Sequence, residues 1–249
     1  MQWPCRNVED LKVGGTKRMF AEGGFFSQSG KAKLVATSFK PAASVTCSDF
    51  PFILNTGRIR DQWHTMTRTA KTGRLMRHIG EPFVEMNEAD AQLLSIADAE
   101  IVELRSAVGA QLFRARITDA VLPGTLFAPI HWTDQFAARA RVDALVSPNL
   151  DPVSGQPESK YTPVKVVSFQ PRTYGLVVTK ARPDIEALRA HFEGSDRIYW
   201  ALMPVDGGWA LECAGDDLLE ADIKLLSAFF GFEITEEMTP FEVVDPANG

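Results

Sequence analysis

From about residue 48 the apolar residues of this chain come in short runs, and a turn signal cuts off each run within a few residues. Runs that short cross a sheet once and do not build long helices. Phe50-Pro51-Phe52-Ile53-Leu54 reads as a buried strand and Glu81-Pro82-Phe83-Val84-Glu85-Met86 as a second. Asn87 then reads as a helix N-cap, with Asp90 three residues on as in a capping box, for a helix from Glu88 to Leu94. Ile101-Val102-Glu103-Leu104-Arg105 alternates as a half-buried strand. In the next strand Phe113, Ala115 and Ile117 share a face and Leu112 is out of step. Pro123-Gly124 marks a turn, Leu126-Phe127-Ala128-Pro129-Ile130 is another buried strand, and residues 164–167 supply the closing one. Short strands, one early helix and frequent turns predict a mainly β fold with helical inserts, closed into a barrel.

The flanks read differently. Residues 1–43 are Gly-rich and weakly periodic, with a hairpin expected around Ser29-Gly30 between Phe25 and Val35. Gly24…Gly30-Lys31 is not a phosphate loop: the spacing is one residue too long, and Ala32 stands where the metal-binding Ser/Thr belongs. Residues 147–163 are a long, turn-rich loop. Beyond 168 the pattern is αβ. Pro183 opens a helix whose Ile185, Leu188 and Phe192 share a face and which Gly194 ends. Asp206-Gly207-Gly208 joins two strands as a hairpin, and residues 218–230 carry a helical apolar stripe.

Function classes narrow on charge and cysteine content. Net charge is −6, which argues against a general nucleic-acid or membrane-surface binder, so an anionic ligand needs a local cationic pocket. Cys5, Cys47 and Cys213 are an odd, widely spaced set that gives no disulfide framework and no zinc or iron–sulfur ligands. The chain shows neither a secretory signal nor a transmembrane run, and a cytoplasmic setting is expected. His64, His78, His131 and His191 are too scattered for a metal site, and no nucleophile–base pattern stands out. The chain reads as a binding module without visible catalytic residues.

The binding residues concentrate after the first strand. Thr56-Gly57-Arg58-Ile59-Arg60-Asp61-Gln62-Trp63-His64-Thr65 crowds an Arg fork, an amide, an indole, an imidazole and two hydroxyls into one turn. Arg58 suits a phosphate, Thr56 and Thr65 can donate to phosphate oxygens, and Gly57 permits close backbone approach or a positive φ. His131-Trp132 repeats the His–Trp pairing at a second strand end, and Lys160 places a point charge near the end of the long loop.

These clusters resemble the C-terminal molybdopterin-dinucleotide-binding domain of bacterial assimilatory nitrate reductases, within the molybdopterin oxidoreductases. The likeness runs through Leu54-Asn55-Thr56-Gly57-Arg58, Asp61 to Thr69, Phe127 to Thr133 and Asp151 to Lys160, within roughly residues 45–167. It implies a six-stranded double-psi β-barrel over 44–167. It further implies the end of a preceding molybdenum-binding region over 1–43 and a small αβ C-terminal extension over 168–249. It implies that Thr56, Gly57, Arg58, Gln62, Trp63, His64, Thr65, His131, Trp132 and Lys160 hold molybdopterin guanine dinucleotide, with molybdenum carried by the pterin. Asp143 occupies a position where relatives usually have Asn, and a carboxylate can only accept where an amide donates. Ala99 stands where Gly is usual, a strained choice if its φ is positive.

The resemblance sets the expected function: the cofactor-binding part of a molybdenum-dependent nitrate reductase that converts nitrate to nitrite. The chain is expected to be a fragment, inactive alone. Its partners would be the remainder of the reductase chain, which would hold an iron–sulfur cluster, and an electron-donor protein or domain, with no nucleic acid or membrane. The alternative is a separate non-catalytic cofactor-binding subunit or module of another molybdenum or tungsten oxidoreductase. A barrel that has lost its ligand is the third option, favoured only by Asp143 and Ala99.

Overall fold

A computed structural model describes residues 9, 18–36, 38–171, 173–192, 198–215 and 233–234. The chain divides into two compact units, residues 1–41 and 42–249. In the first, Phe20 stacks on Phe25 with ring centroids 4.7 Å apart. Phe25 N–H donates to Gly30 O at 3.0 Å, so the chain turns at Ser29-Gly30 as expected. The expected hairpin is corrected, because no described residue of this unit lies in a strand. Phe26 and Leu34, each 94% exposed, have no sheet to pack on, and an isolated two-stranded ribbon is marginal in water.

The second unit is built on a closed six-stranded barrel. Its strands are β1 (Phe52–Gly57), β2 (Phe83–Met86), β3 (Ile101–Arg105), β4 (Ala110–Ile117), β5 (Thr125–Pro129) and β6 (Thr162–Ser168). Around the barrel the order is β1-β5-β2-β4-β3-β6. Two pairings are parallel, β1 with β5 and β2 with β4, and the others are antiparallel. This is a barrel of the double-psi type with short helical inserts, α1 (Gly73–Met76) and α2 (Glu88–Leu94). Phe52, Leu54, Val84, Met86, Val102, Leu104, Phe113, Ala115, Leu126, Ala128, Val164 and Val166 point inward and form one apolar core.

Helix α2 spans the expected residues, and the Asn87 side chain caps it by accepting from Ala89 N–H. The capping box is corrected: Asp90 Oδ2 accepts instead from Gly124 N–H at 2.7 Å. Asn87 Nδ2 donates to Val121 O at 2.8 Å. Both ends of the 121–124 turn are thereby fixed, and Gly124 sits at φ +78°, which a glycine adopts without strain. Gly124 O then accepts from Ile53 N–H at 2.9 Å, which sets β5 beside β1.

Strand β3 is buried on both faces over Ile101–Leu104, not half-buried as its alternation suggests. The reason is a second sheet, in the order β10-β7-β9-β8, formed by β7 (Thr173–Thr179), β8 (Ile198–Val205), β9 (Gly208–Gly215) and β10 (Glu233–Ile234). Ile101 and Leu112 pack outward against Phe169, Tyr199, Ala201 and Ala214 of this layer. The out-of-step Leu112 is thus core on the opposite face. The hairpin turns at Asp206–Gly208, with Gly207 at φ +84°. The expected helix is α3 (Ile185–His191), capped by Asp184, and Leu188 is buried with Ile185 and Phe192 beside it. Gly194 and the stripe at 218–230 lie outside the described residues.

A buried polar cluster joins the barrel to this sheet. Arg114 of β4 donates from Nε to Glu81 at 3.0 Å, from Nη1 to Ala99 O at 2.8 Å and from Nη2 to Glu212 of β9. Tyr174 donates to the same Glu212 oxygen, and Tyr199 donates to Glu81 at 2.7 Å. Glu212 is fully buried and its Oε2 has no partner among the described residues. Burial first, and then the Glu81 carboxylate, push its pKa up to about 7 against the pull of Arg114. Cys213 is buried and unpaired and Cys47 is exposed. Among the described residues no helix is long and apolar enough to cross a membrane.

Two measurements follow. The folded chain retains a proton on Glu212 between about pH 4.5 and 7 that the unfolded chain has lost, so this group's contribution to stability falls as pH rises through that window. Urea unfolding at stepped pH should show that decline, and Glu212→Gln should flatten it. Ala99 is at φ +64°, the left-handed region its sequence position raised as a concern. Ala99→Gly should therefore raise unfolding free energy by about 0.5–1 kcal/mol in the same assay.

Candidate functional site

The register of β1 on β5 builds the site. Ile53 faces Thr125, Asn55 faces Phe127, and Gly57 faces Pro129 in a parallel ladder. Along β1 the burial alternates, with Phe52, Leu54 and Thr56 turned to the core and Ile53, Asn55 and Gly57 half-exposed. The outward residues of both strands form the floor of an open groove of about 530 Å³. Arg58 and Lys160 stand on its border, and among the described residues no Asp or Glu lines it.

The two cations differ in state. Lys160 Nζ donates to Thr56 O, so the long loop's ammonium rests against the β1 backbone. Arg58 is exposed and has no hydrogen-bond or ion-pair partner among the described residues. Its neighbours are engaged: Arg60 pairs with Asp61 at 2.9 Å, and Arg68 lies 5.2 Å over the Trp63 ring. A free guanidinium fork beside an ammonium gives the local cationic pocket that a chain of net charge −6 needs in order to hold an anion.

Gly57 takes its role from packing. Its φ is not positive, so the conformational reason offered by the sequence is corrected. A Cβ there would lie 2.6 Å from Cε2 of Phe127. Glycine is what lets the Phe127 ring lie across β1 and cover that part of the floor.

The other sequence-predicted residues fall into three groups. Thr56 turns inward and its hydroxyl donates to Ser159 O at 2.7 Å, so it borders the groove without offering a free donor. Strand alternation dictates this, since the residue lies between the outward Asn55 and Gly57. Trp63, His64 and Thr65 are exposed on the loop leaving β1, with the Trp63 and His64 rings edge-on at 4.8 Å. Gln62, His131 and Trp132 are buried and do not line the groove. Gln62 accepts from Thr69 Oγ1 at 2.5 Å and its amide N–H donates to Met76 Sδ at 2.9 Å. Trp132 packs edge-on to Phe83, and its indole N–H is buried without an acceptor among the described residues. Asp143 is exposed in the 3₁₀ turn Val142–Leu145, also outside the groove lining. Asn55, Ile53, Thr125 and Phe127 line the floor and were not singled out as contacts. The alternation of β1 carries the signal for Asn55, but finding its partners needs the β1–β5 register.

His131 is fully buried beneath the loop. Its Nε2 accepts from Ile59 N–H at 3.0 Å and its Nδ1 lies 2.6 Å from His64 O. Among the described residues no group of three or more His, Cys, Asp or Glu is placed to hold a metal ion directly.

A closed barrel with a groove bordered by two cations across a parallel strand pair is a surface chemically suited to an anion. Residues 52–163, which span this barrel from β1 into β6, match the family described as Molydopterin dinucleotide binding domain. The barrel is thus the part of the chain that matches this family. It is 39% identical over 189 residues to a nitrate reductase of Klebsiella oxytoca, covering 76% of this chain and 21% of the relative. It is 33% identical to the F420-dependent formate dehydrogenase subunit alpha of Methanocaldococcus jannaschii, over 67% of this chain and 23% of the relative. It is 28% identical to the assimilatory nitrate reductase catalytic subunit of Bacillus subtilis, with the same two coverages. The chain spans about a fifth of the length of these curated relatives.

Gly57→Ala tests the floor. The new methyl should displace the Phe127 ring and lower unfolding free energy by about 1–3 kcal/mol, read by urea denaturation. A neutral result would mean the ring moves aside at no cost.

Proposed function

We propose that this chain is the cofactor-binding C-terminal part of a cytoplasmic, molybdenum-dependent assimilatory nitrate reductase, and that its groove holds molybdopterin guanine dinucleotide. The observation that carries the reading is the unpaired Arg58 beside Lys160 on a groove without carboxylates, within the stretch that matches the family. The donor set fits the group: a pyrophosphate-linked dinucleotide is anionic and planar at both ends, and a guanidinium fork and an ammonium on a half-apolar floor suit it. About 530 Å³ lies within the usual range for a small-molecule site.

When bound, the cofactor supplies the redox chemistry through molybdenum, in this reading by oxygen-atom transfer from nitrate to give nitrite. The residues of this chain bind and orient. Arg58 and Lys160 neutralise phosphate charge, Asn55 offers both a donor and an acceptor from the floor, and Phe127 gives a flat apolar surface. Trp63, His64 and Thr65 offer further donors from the adjoining loop. The partners in this reading are the rest of the reductase chain and an electron-donor protein or domain.

A second reading rests on the formate dehydrogenase relative: a separate cofactor-binding subunit or module of another molybdenum or tungsten oxidoreductase. The genomic sequence around the reading frame separates the two, since an in-frame upstream continuation supports the first and an independent ribosome-binding site the second.

Titration of the chain with molybdopterin guanine dinucleotide under anaerobic conditions, followed by pterin fluorescence, tests binding. Arg58→Ala should weaken it at least about tenfold, as loss of a charge-assisted hydrogen bond does. Absence of binding by the unaltered chain, or equal binding by the variant, counts against the proposal.

A further inference from the structure

We infer that His131 is a positioning residue, an imidazole staple whose neutral Nδ1–H form clasps both ends of the 59–64 loop and so fixes the loop that continues from Arg58 at the groove's border. The inference deepens the proposed cofactor reading and rests on it only for what the loop grips. It starts from the place where β1 and β5 part. The parallel ladder ends at Gly57 and Pro129, and one more bond, from Ile130 N–H to Gly57 O at 2.9 Å, extends it. Beyond that point the loop leaves β5, and Ile59 N–H has lost its strand partner. A buried amide left without a partner costs about 1–3 kcal/mol.

His131, the next residue on the β5 side, supplies the missing acceptor with its side chain. Nε2 accepts from Ile59 N–H at 3.0 Å, so that nitrogen carries a lone pair. The ring proton must then be on Nδ1, which donates to His64 O at 2.6 Å. One fully buried ring therefore holds the loop at both its departure and its return. The return is the strained part: His64 has φ +25° and Met66 φ +58°, both in the region that favours glycine. The bond to His64 O offsets that strain at the residue where it arises.

The chemistry permits only the neutral form. A proton on Nε2 would face the Ile59 N–H and break that bond. Burial holds the His131 pKa below the ordinary imidazole value against the upward pull of its bond to His64 O, with smaller downward contributions from the His64 ring and Arg58. No other side chain replaces the ring. Asn or Gln has a donor and an acceptor on one carbon, and cannot present them from opposite ends of a rigid five-membered frame. What depends on the staple is the exposed set on the loop: Arg58 at its start, Trp63 and His64 at its end. All three lack a core position to fix them.

Two measurements on the full chain test this without any ligand. In long-range nitrogen NMR at neutral pH, the histidine signal that vanishes in His131→Asn should show a protonated Nδ1 and a bare Nε2. A protonated Nε2 would overturn the inference. In limited trypsin digestion, His131→Ala should speed cleavage after Arg58 and Arg60 at least tenfold, with cleavage after Arg105 in β3 unchanged. If His131→Ala does not fold, His131→Asn, which keeps one of the two bonds, should show the same selective acceleration at smaller size. Equal rates, or equal acceleration at all three sites, would overturn the positioning role. The proposed cofactor fails separately, by absence of binding to the unaltered chain. If that chain binds molybdopterin guanine dinucleotide, the variant should bind at least tenfold more weakly.

Discussion

The parallel pairing of β1 with β5 is the constraint on which the groove depends. Parallel neighbours cannot be joined by a tight turn, so a long excursion must connect Gly57 to Thr125. That excursion carries β2, α2, β3 and β4, and its last turn is tied down by Asn87 and Asp90 of the α2 N-terminus. Because the register aligns the outward residues of both strands, their half-exposed faces form one floor. A slip of β1 by one residue would turn Asn55 into the core and put Leu54 on the surface, and a slip of β5 would do the same to Phe127 and Leu126. The burial of those two leucines therefore fixes the groove as firmly as its own lining does.

The buried cluster around Arg114 has a different task. Two carboxylates and two phenols converge on one guanidinium between the barrel and the second sheet. Removing a charge from such a cluster leaves the others uncompensated, whereas the intact set fixes how the two layers meet. The same Arg114 holds Ala99 O, so the left-handed turn that the sequence handles poorly is supported by the cluster and not by its own residue.

Much of the fold was legible because strands, caps and turns are local. The strands around Phe52, Val84, Leu126 and Val164, the Asn87 cap and the Asp206–Gly208 hairpin all follow from short-range pattern. What was not legible depends on neighbours distant in sequence. The burial of β3 on both faces needs the sheet of β8 and β9, and Asp90 finds Gly124 in place of its own helix. The site divides in the same way. The concentration of donors from Thr56 to Thr65 was visible as composition, and the structure adds that Arg58 is exposed. Which donors are spent internally was not visible. Thr56 and Gln62 are the right chemistry turned the wrong way, and Trp132 reads as a site residue while its ring fills the core beside Phe83.

The two departures from the family pattern both lie outside the groove lining. Ala99 lies in the turn before β3, where its strain is borne by the Arg114 cluster, and it does not border the groove. Asp143 sits exposed to water in a 3₁₀ turn, outside the groove lining. Neither change touches Arg58, Lys160, Gly57 or the β1–β5 register. A barrel drifting away from an anionic ligand would be expected to relax first at its costliest features. Here those are a glycine held by a ring 2.6 Å from where a Cβ would stand and a strained loop clasped by a buried histidine. Both are present in this chain beside the groove's own lining.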